Sequence, residues 1–374
     1  MRFVLALVIL LAVFVPAASP AAAESTAPRV LLVVSGNGRD EGRASPGFEY
    51  DEFAQAWVVL RDNGVVVEVA SPAGGPVETD AFERDKAYNA RALADPAAAK
   101  ALNATLATDS LDPARYSAIF VLGGGGAMFD LYRDDALTRL LQGVHARGGV
   151  IGAVCHGPVV LAALRDVDGR PLVAGRRVTG FTNNEERLFG ARWSKSYPVF
   201  LENALLEAGA DFVEGAPMLP HVVSEERVVT GQNPFSTSLA VEALLHEMGR
   251  APAPRDAWQD EASLLLIKRH LQGEGDAVQA ELARAPEAFD LLLIGMWGYY
   301  RTAQAGDNLT MLGEAADLMA MVADRVAEPR LTLALARAEI RLTRTAQARG
   351  RLEALLAREP DLAPARQLLA SLGE

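Results

Sequence analysis

The chain has 374 residues, half of them apolar and 22% charged, with 36 Lys+Arg against 48 Asp+Glu. That is the composition of a globular protein too long for one ordinary domain. A net charge of −12 argues against a nucleic-acid-binding surface, and a single cysteine excludes any internal disulfide.

The N-terminus reads as a secretory signal over residues 1–23. Arg2 supplies the positive start, residues 3–15 the apolar core, and residues 16–23 a small-residue tail ending in Ala21-Ala22-Ala23. Cleavage after Ala23 leaves a mature chain from Glu24 that is periplasmic or secreted. The 13-residue apolar run is short for a bilayer span of about 20 residues. No cysteine lies near the cleavage site to take a lipid anchor, and no later segment is apolar enough to span a membrane.

Next comes a domain over residues 24–250 in which strand-like and helix-like runs alternate. RVLLVVSG (29–36) is a buried-strand run ending in glycine. EFAQAWVVLRDNG (52–64) follows as a helix with Phe53, Ala56, Trp57 and Leu60 on one face. VVVEVAS (65–71) and SAIFVLGGGG (117–126) are further strands, and DDALTRLLQGVHARG (134–148) is a helix stopped by glycine. GVIGAVCHGP (149–158) is a strand running into a turn, and GPVVLAALRD continues as a helix with Pro158 in its first turn. This alternation predicts an α/β fold with a mostly parallel, doubly wound sheet. Ligands in such sheets bind beyond the strand C-termini, where Gly123–Gly126 and Cys155 fall.

GRAPAPRD (249–256) breaks the pattern. Residues 251–374 then read as an all-α C-terminal domain. Leu335, Ala336, Ala348, Leu352 and Pro360 sit near the spacings of a tetratricopeptide-type helix pair, and a weaker unit covers Trp297 to Pro329. The alternatives are a helical extension packed on the first domain and a repeat array that docks a protein partner.

The chemistry centres on Cys155. Ala153-x-Cys155-x-Gly157 has the small neighbours that a nucleophile elbow between strand and helix needs. A thiol at a helix N-terminus is expected to have a lowered pKa. A buried structural cysteine is the competing reading. His156 follows directly, although adjacent side chains often point apart. The Gly123-Gly124-Gly125-Gly126 run can bring amides to a developing oxyanion, and it lacks the Lys-Ser/Thr of a phosphate loop. No metal-ligand spacing is present among the other histidines, His145, His221, His246 and His270.

AVCHGP, with SPAGGPVETD (71–80), YSAIFVLGGGGAMFDL (116–131), VTGFTNNEE (178–186) and VVTGQNPFSTS (228–238), resembles the ThiJ/PfpI family of the class I glutamine-amidotransferase-like superfamily. The branch of heat-shock chaperones and glutathione-independent glyoxalases is the most similar. The resemblance implies a flavodoxin-like sheet and a Cys155–His156–acid constellation. It places the acid at Glu186, with Glu185 as the alternative, and a proton-shuttling carboxyl at Glu52. Gly123, Gly124 and Gly125 become oxyanion or substrate-binding positions, but Gly125 stands where the glyoxalase branch has histidine.

The activity implied is a cofactor-free conversion of small reactive carbonyls, such as methylglyoxal to lactate. An amidase or peptidase on the same cysteine is one alternative, and a stress chaperone or oxidant sensor another. The expected partners are a small aldehyde or acyl substrate, a protein on the helical tail and further copies of the chain in a homo-oligomer.

Overall fold

The computed structural model describes residues 27–190 and 192–373. The signal expected over residues 1–23 lies outside the described residues. The chain runs through β1 (Arg29–Val33), α1 (Tyr50–Asp62), β2 (Val66–Ser71), α2 (Ala87–Ala94), α3 (Pro96–Asn103), β3 (Leu106–Ala107), β4 (Ala118–Val121), α4 (Asp135–Ala146) and β5 (Val150–Val154). It continues through β6 (Arg177–Val178), α5 (Asn183–Phe189), α6 (Leu201–Glu207), β7 (Asp211–Phe212), β8 (Val222–Glu225), β9 (Val228–Gly231) and α7 (Thr237–Glu247). Seven helices complete it: α8 (Gln259–Leu271), α9 (Gly275–Arg284), α10 (Leu291–Gln304), α11 (Leu309–Val322), α12 (Pro329–Arg341), α13 (Thr345–Arg358) and α14 (Ala363–Ser371).

Seven strands form one sheet in the order β3-β2-β1-β4-β5-β9-β8, parallel except for the β8–β9 edge pair. The expected flavodoxin-like, doubly wound architecture is therefore present, with β6 and β7 as a separate parallel pair. Alternate residues of each strand feed opposite layers. Val30, Leu32 and Phe120 join α1 and α7 on one face, and Leu31, Val33, Ile119 and Val121 join α4 and α6 on the other. Burial on both faces explains why these strands read as unbroken apolar runs.

Two local expectations need correction. Helix α1 is not one-sided, for every residue from Tyr50 to Leu60 is buried. Trp57 Nε1 donates to Asp95 at 2.9 Å, and α2 and α7 cover the flanks. The stretch after Cys155 is not an α-helix. Residues Gly157–Ala163 wind as a 3-10 helix. A Cβ at Gly157 would come within 2.4 Å of the Val121 carbonyl oxygen, so the turn is pinned tight against β4 at its first residue.

Beyond residue 258 the helices bury a core around Leu264, Trp297, Leu312 and Leu331, and a smaller one around Ala336, Ala348 and Leu352. Between the two regions Arg255 pairs with Glu242 at 2.7 Å and Glu261 at 2.6 Å, so the proline-bearing segment is fastened at both ends.

Candidate active site

Four side chains predicted from sequence meet beyond the C-terminal ends of β4 and β5. Cys155 follows β5 with φ of +59°, a left-handed conformation that costs a non-glycine residue energy and is held here by its surroundings. Its carbonyl accepts from Phe181 N at 2.8 Å, and its own N–H donates to Gly231 O at 2.9 Å. The chain reverses at this elbow, so the adjacent side chains converge, with Cys155 Sγ 3.3 Å from His156 Nδ1. Gly123 has to be glycine, because a Cβ there would lie 2.7 Å from Cys155 Cβ.

His156 Nε2 lies 2.6 Å from Glu186 Oε1, and the ring packs on Phe181 with centroids 4.5 Å apart. With the Nε2 proton given to Glu186, Nδ1 is the nitrogen that faces sulfur. Glu185 belongs elsewhere. It closes the capping box of α5 with Thr182 and accepts from Met218 N (2.7 Å), Gln232 Nε2 (3.0 Å) and Asn233 Nδ2 (3.0 Å). Of the two adjacent acids, Glu186 is the one on the histidine.

Glu52, from the first turn of α1, is fully buried. Its Oε2 accepts from Gly123 N at 2.6 Å, and the side chain also meets the Cys155 thiol. Burial, reinforced by Glu49, pushes this carboxyl well above the usual carboxylate range. This carboxyl faces the thiol. The expected amide of Gly123 is therefore engaged by Glu52 and is not an oxyanion donor. Gly124 N–H acts on the sulfur instead and favours thiolate.

The expected lowering of the thiol pKa does not hold. Burial pushes Cys155 up, and the charge that Glu52 carries when ionised adds to it. The short 3-10 turn offers little dipole to oppose this. In this buried setting the thiol form is favoured, and His156 Nδ1 is the nitrogen beside it.

Three nearby groups carry no local signal in the sequence. Glu49 is pushed up to about 8, mainly by burial and then by Asp51 and Asp80. Asp80 accepts from Gly47 N at 2.7 Å, and burial raises it as well. Tyr197 stands edge-on to His156 with centroids 5.8 Å apart. A Cβ at Gly125 would lie 2.9 Å from the Tyr197 hydroxyl and 3.0 Å from Pro46 Cβ. The space where the family resemblance expects an imidazole is thus partly filled by a phenol from residue 197. Among the described residues no cluster of His, Cys, Asp and Glu could hold a metal ion.

Comparison with known proteins identifies relatives of the α/β domain. The DJ-1/PfpI family matches residues 44–247. A glutathione-independent glyoxalase of Schizosaccharomyces pombe is 32% identical over 240 residues, covering 58% of this chain and 94% of that protein. A bovine glutamine amidotransferase-like class 1 domain-containing protein is 33% identical, covering 59% and 94%. The crystal structure of glyoxalase III from Candida albicans superposes with a TM-score of 0.54 at 26% identity, covering 59% of this chain and 97% of that one.

Proposed function

The chain belongs to the DJ-1/PfpI family, and we propose that it is a cysteine-dependent enzyme that converts methylglyoxal-type carbonyls to hydroxy acids without glutathione. The observation that carries this reading is the pairing of a Cys155–His156–Glu186 relay with a second, buried carboxyl at Glu52 that burial pushes well above the usual range. Hydrolysis alone needs the relay. Isomerising a bound aldehyde also needs a group that moves a proton between two carbons.

The sequence of steps balances without an external oxidant. His156 takes the thiol proton, and Sγ adds to the aldehyde carbon to give a hemithioacetal. Gly124 N–H stands where it can stabilise the oxygen anion. Glu52 gives its proton to that oxygen, takes the proton from the carbon as a carboxylate, and returns it to the neighbouring carbon, so that an enediol forms and collapses to the thioester of a 2-hydroxy acid. Water then cleaves the thioester, returning the thiol and releasing lactate. The carbonyl carbon next to sulfur is oxidised as its neighbour is reduced. The N-terminal segment further suggests that this chemistry runs outside the cytoplasm.

The test is hydroxy-acid production from methylglyoxal and glyoxal, with no glutathione or metal added, by the chain from Glu24 onward and by Cys155→Ala. Turnover that disappears in Cys155→Ala while the melting temperature holds supports the reading. Undiminished turnover in that variant, or none in the parent protein, sinks it.

A further inference from the structure

We infer that the seam between the α/β domain and the helical region is a binding site for a small carboxylate with an apolar body. A cavity of about 120 Å³ opens there. Phe189, Met218 and Phe235 line it from the α/β side, and Leu264, Trp297 and Arg301 from the helices. None of the groups around the thiol reaches it, so this site is separate from the catalytic one.

The size fixes the scale of the ligand. An engineered apolar cavity of about 150 Å³ holds a benzene ring; at about 120 Å³ this one takes a short alkyl chain or most of a ring, with the remainder leaving through the mouth. Phe189 and Tyr300 flank the cavity, their rings edge-to-face at 5.4 Å, and both remain exposed (40% and 39%). Large aromatic rings left in solvent beside an apolar hollow are where ligand burial gains most.

Arg301 fixes the charge. Its guanidinium lies over the Trp297 ring at 5.7 Å, and its buried Nε–H has no hydrogen-bond partner among the described residues. The carboxylate that it feels is Glu314. Arginine does not shed its proton to escape such a position, so a half-buried cation with an idle donor remains in an apolar wall. A carboxylate at the cavity mouth supplies the opposite charge to this guanidinium. The site is also braced. Trp297 Nε1 donates to Pro217 O at 3.0 Å, and Met218, at φ of +59°, is held by its N–H bond to Glu185.

Titration calorimetry on the full chain would compare phenylacetate with 2-phenylethanol, which keeps the ring and lacks the charge. Phenylacetate should bind saturably, with the alcohol weaker by about tenfold or more. Arg301→Met should erase the difference between them, while Met296→Trp, which fills the cavity, should remove binding of both. Arg301→Met should leave Cys155 labelling unchanged. Equal binding of acid and alcohol to the parent protein would overturn the inference, as would unaltered phenylacetate binding in Arg301→Met. So would the absence of saturable phenylacetate binding up to about 10 mM, which corresponds to less than about 3 kcal/mol of binding energy.

Discussion

Replacing Glu49 by Gln probes how dry the catalytic pocket is. Moving this carboxyl from 4.5 to about 8, at about 1.4 kcal/mol per pH unit, costs the folded state at most about 5 kcal/mol once the group ionises. Glu49 keeps some contact with solvent, which screens part of that, so about 2 kcal/mol is the expected size. Because its folded pKa is the higher one, the native state holds a proton that the unfolded chain has already lost. Stability therefore falls as pH rises from about 4.5 to about 8, and this contribution is flat above. Glu49→Gln has no such proton. In urea denaturation at about pH 4 and about pH 8.5, the variant should gain about 2 kcal/mol on the parent protein between the two conditions. Parallel stability profiles would refute the reasoning. The same substitution removes a charge that raises Cys155, so iodoacetamide labelling should reach its half-maximal rate at lower pH.

Glu52→Gln keeps an acceptor for Gly123 N–H but cannot pass a proton. It should lower carbonyl turnover by about a hundred- to ten-thousand-fold while Cys155 still labels; loss of labelling as well would make Glu52 a structural group. Tyr197→Phe leaves the ring packed on His156 and Phe129 and removes the hydroxyl beside Gly125. A fall in kcat of about tenfold or more with an unchanged melting temperature is expected, in line with losing one hydrogen bond to a charged intermediate. Unchanged kinetics would leave the phenol without a role.

The strands and the elbow were legible because their signals are local. Ala153-x-Cys155-x-Gly157 after an apolar run specifies both the strand end and the small neighbours that a left-handed cysteine needs. The acid was legible only to within one residue. Glu185 and Glu186 are adjacent on α5, and what separates them is which partners the tertiary fold brings, Met218, Gln232 and Asn233 to one and His156 to the other. The thiol's pKa could not be read for a similar reason. A helix-like sequence after Cys155 suggested a dipole, whereas the direction of the shift is set by burial and by a carboxyl over a hundred residues earlier in the chain. Tyr197 lies in a stretch with no periodicity, and only the fold places its hydroxyl over Gly125.

The helical region is not a tethered passenger, and the reason lies one residue from Glu52. Asp51 accepts from Lys86 Nζ and Asn89 Nδ2, both at 2.6 Å, and lies 3.1 Å from the Tyr88 hydroxyl. That hydroxyl is also 2.7 Å from Asp260, in the first turn of α8. One O–H cannot serve two carboxylates at once, and burial raises Asp260, so this acid is the one suited to share a proton within the network. Trp258 reaches Ser238 Oγ at 2.9 Å, which donates to Gln55 on α1 at 2.9 Å. Lys268 Nζ donates to Pro220 O at 3.1 Å. Helix α1 thus carries Glu52 on one side and polar anchors to the C-terminal helices on the others. Its all-round burial, against a sequence pattern that promised one apolar face, comes from α2, α7 and the sheet packed around it. The helices occupy this flank of the α/β domain, so a homo-oligomer of the chain has to be built from the faces they leave open.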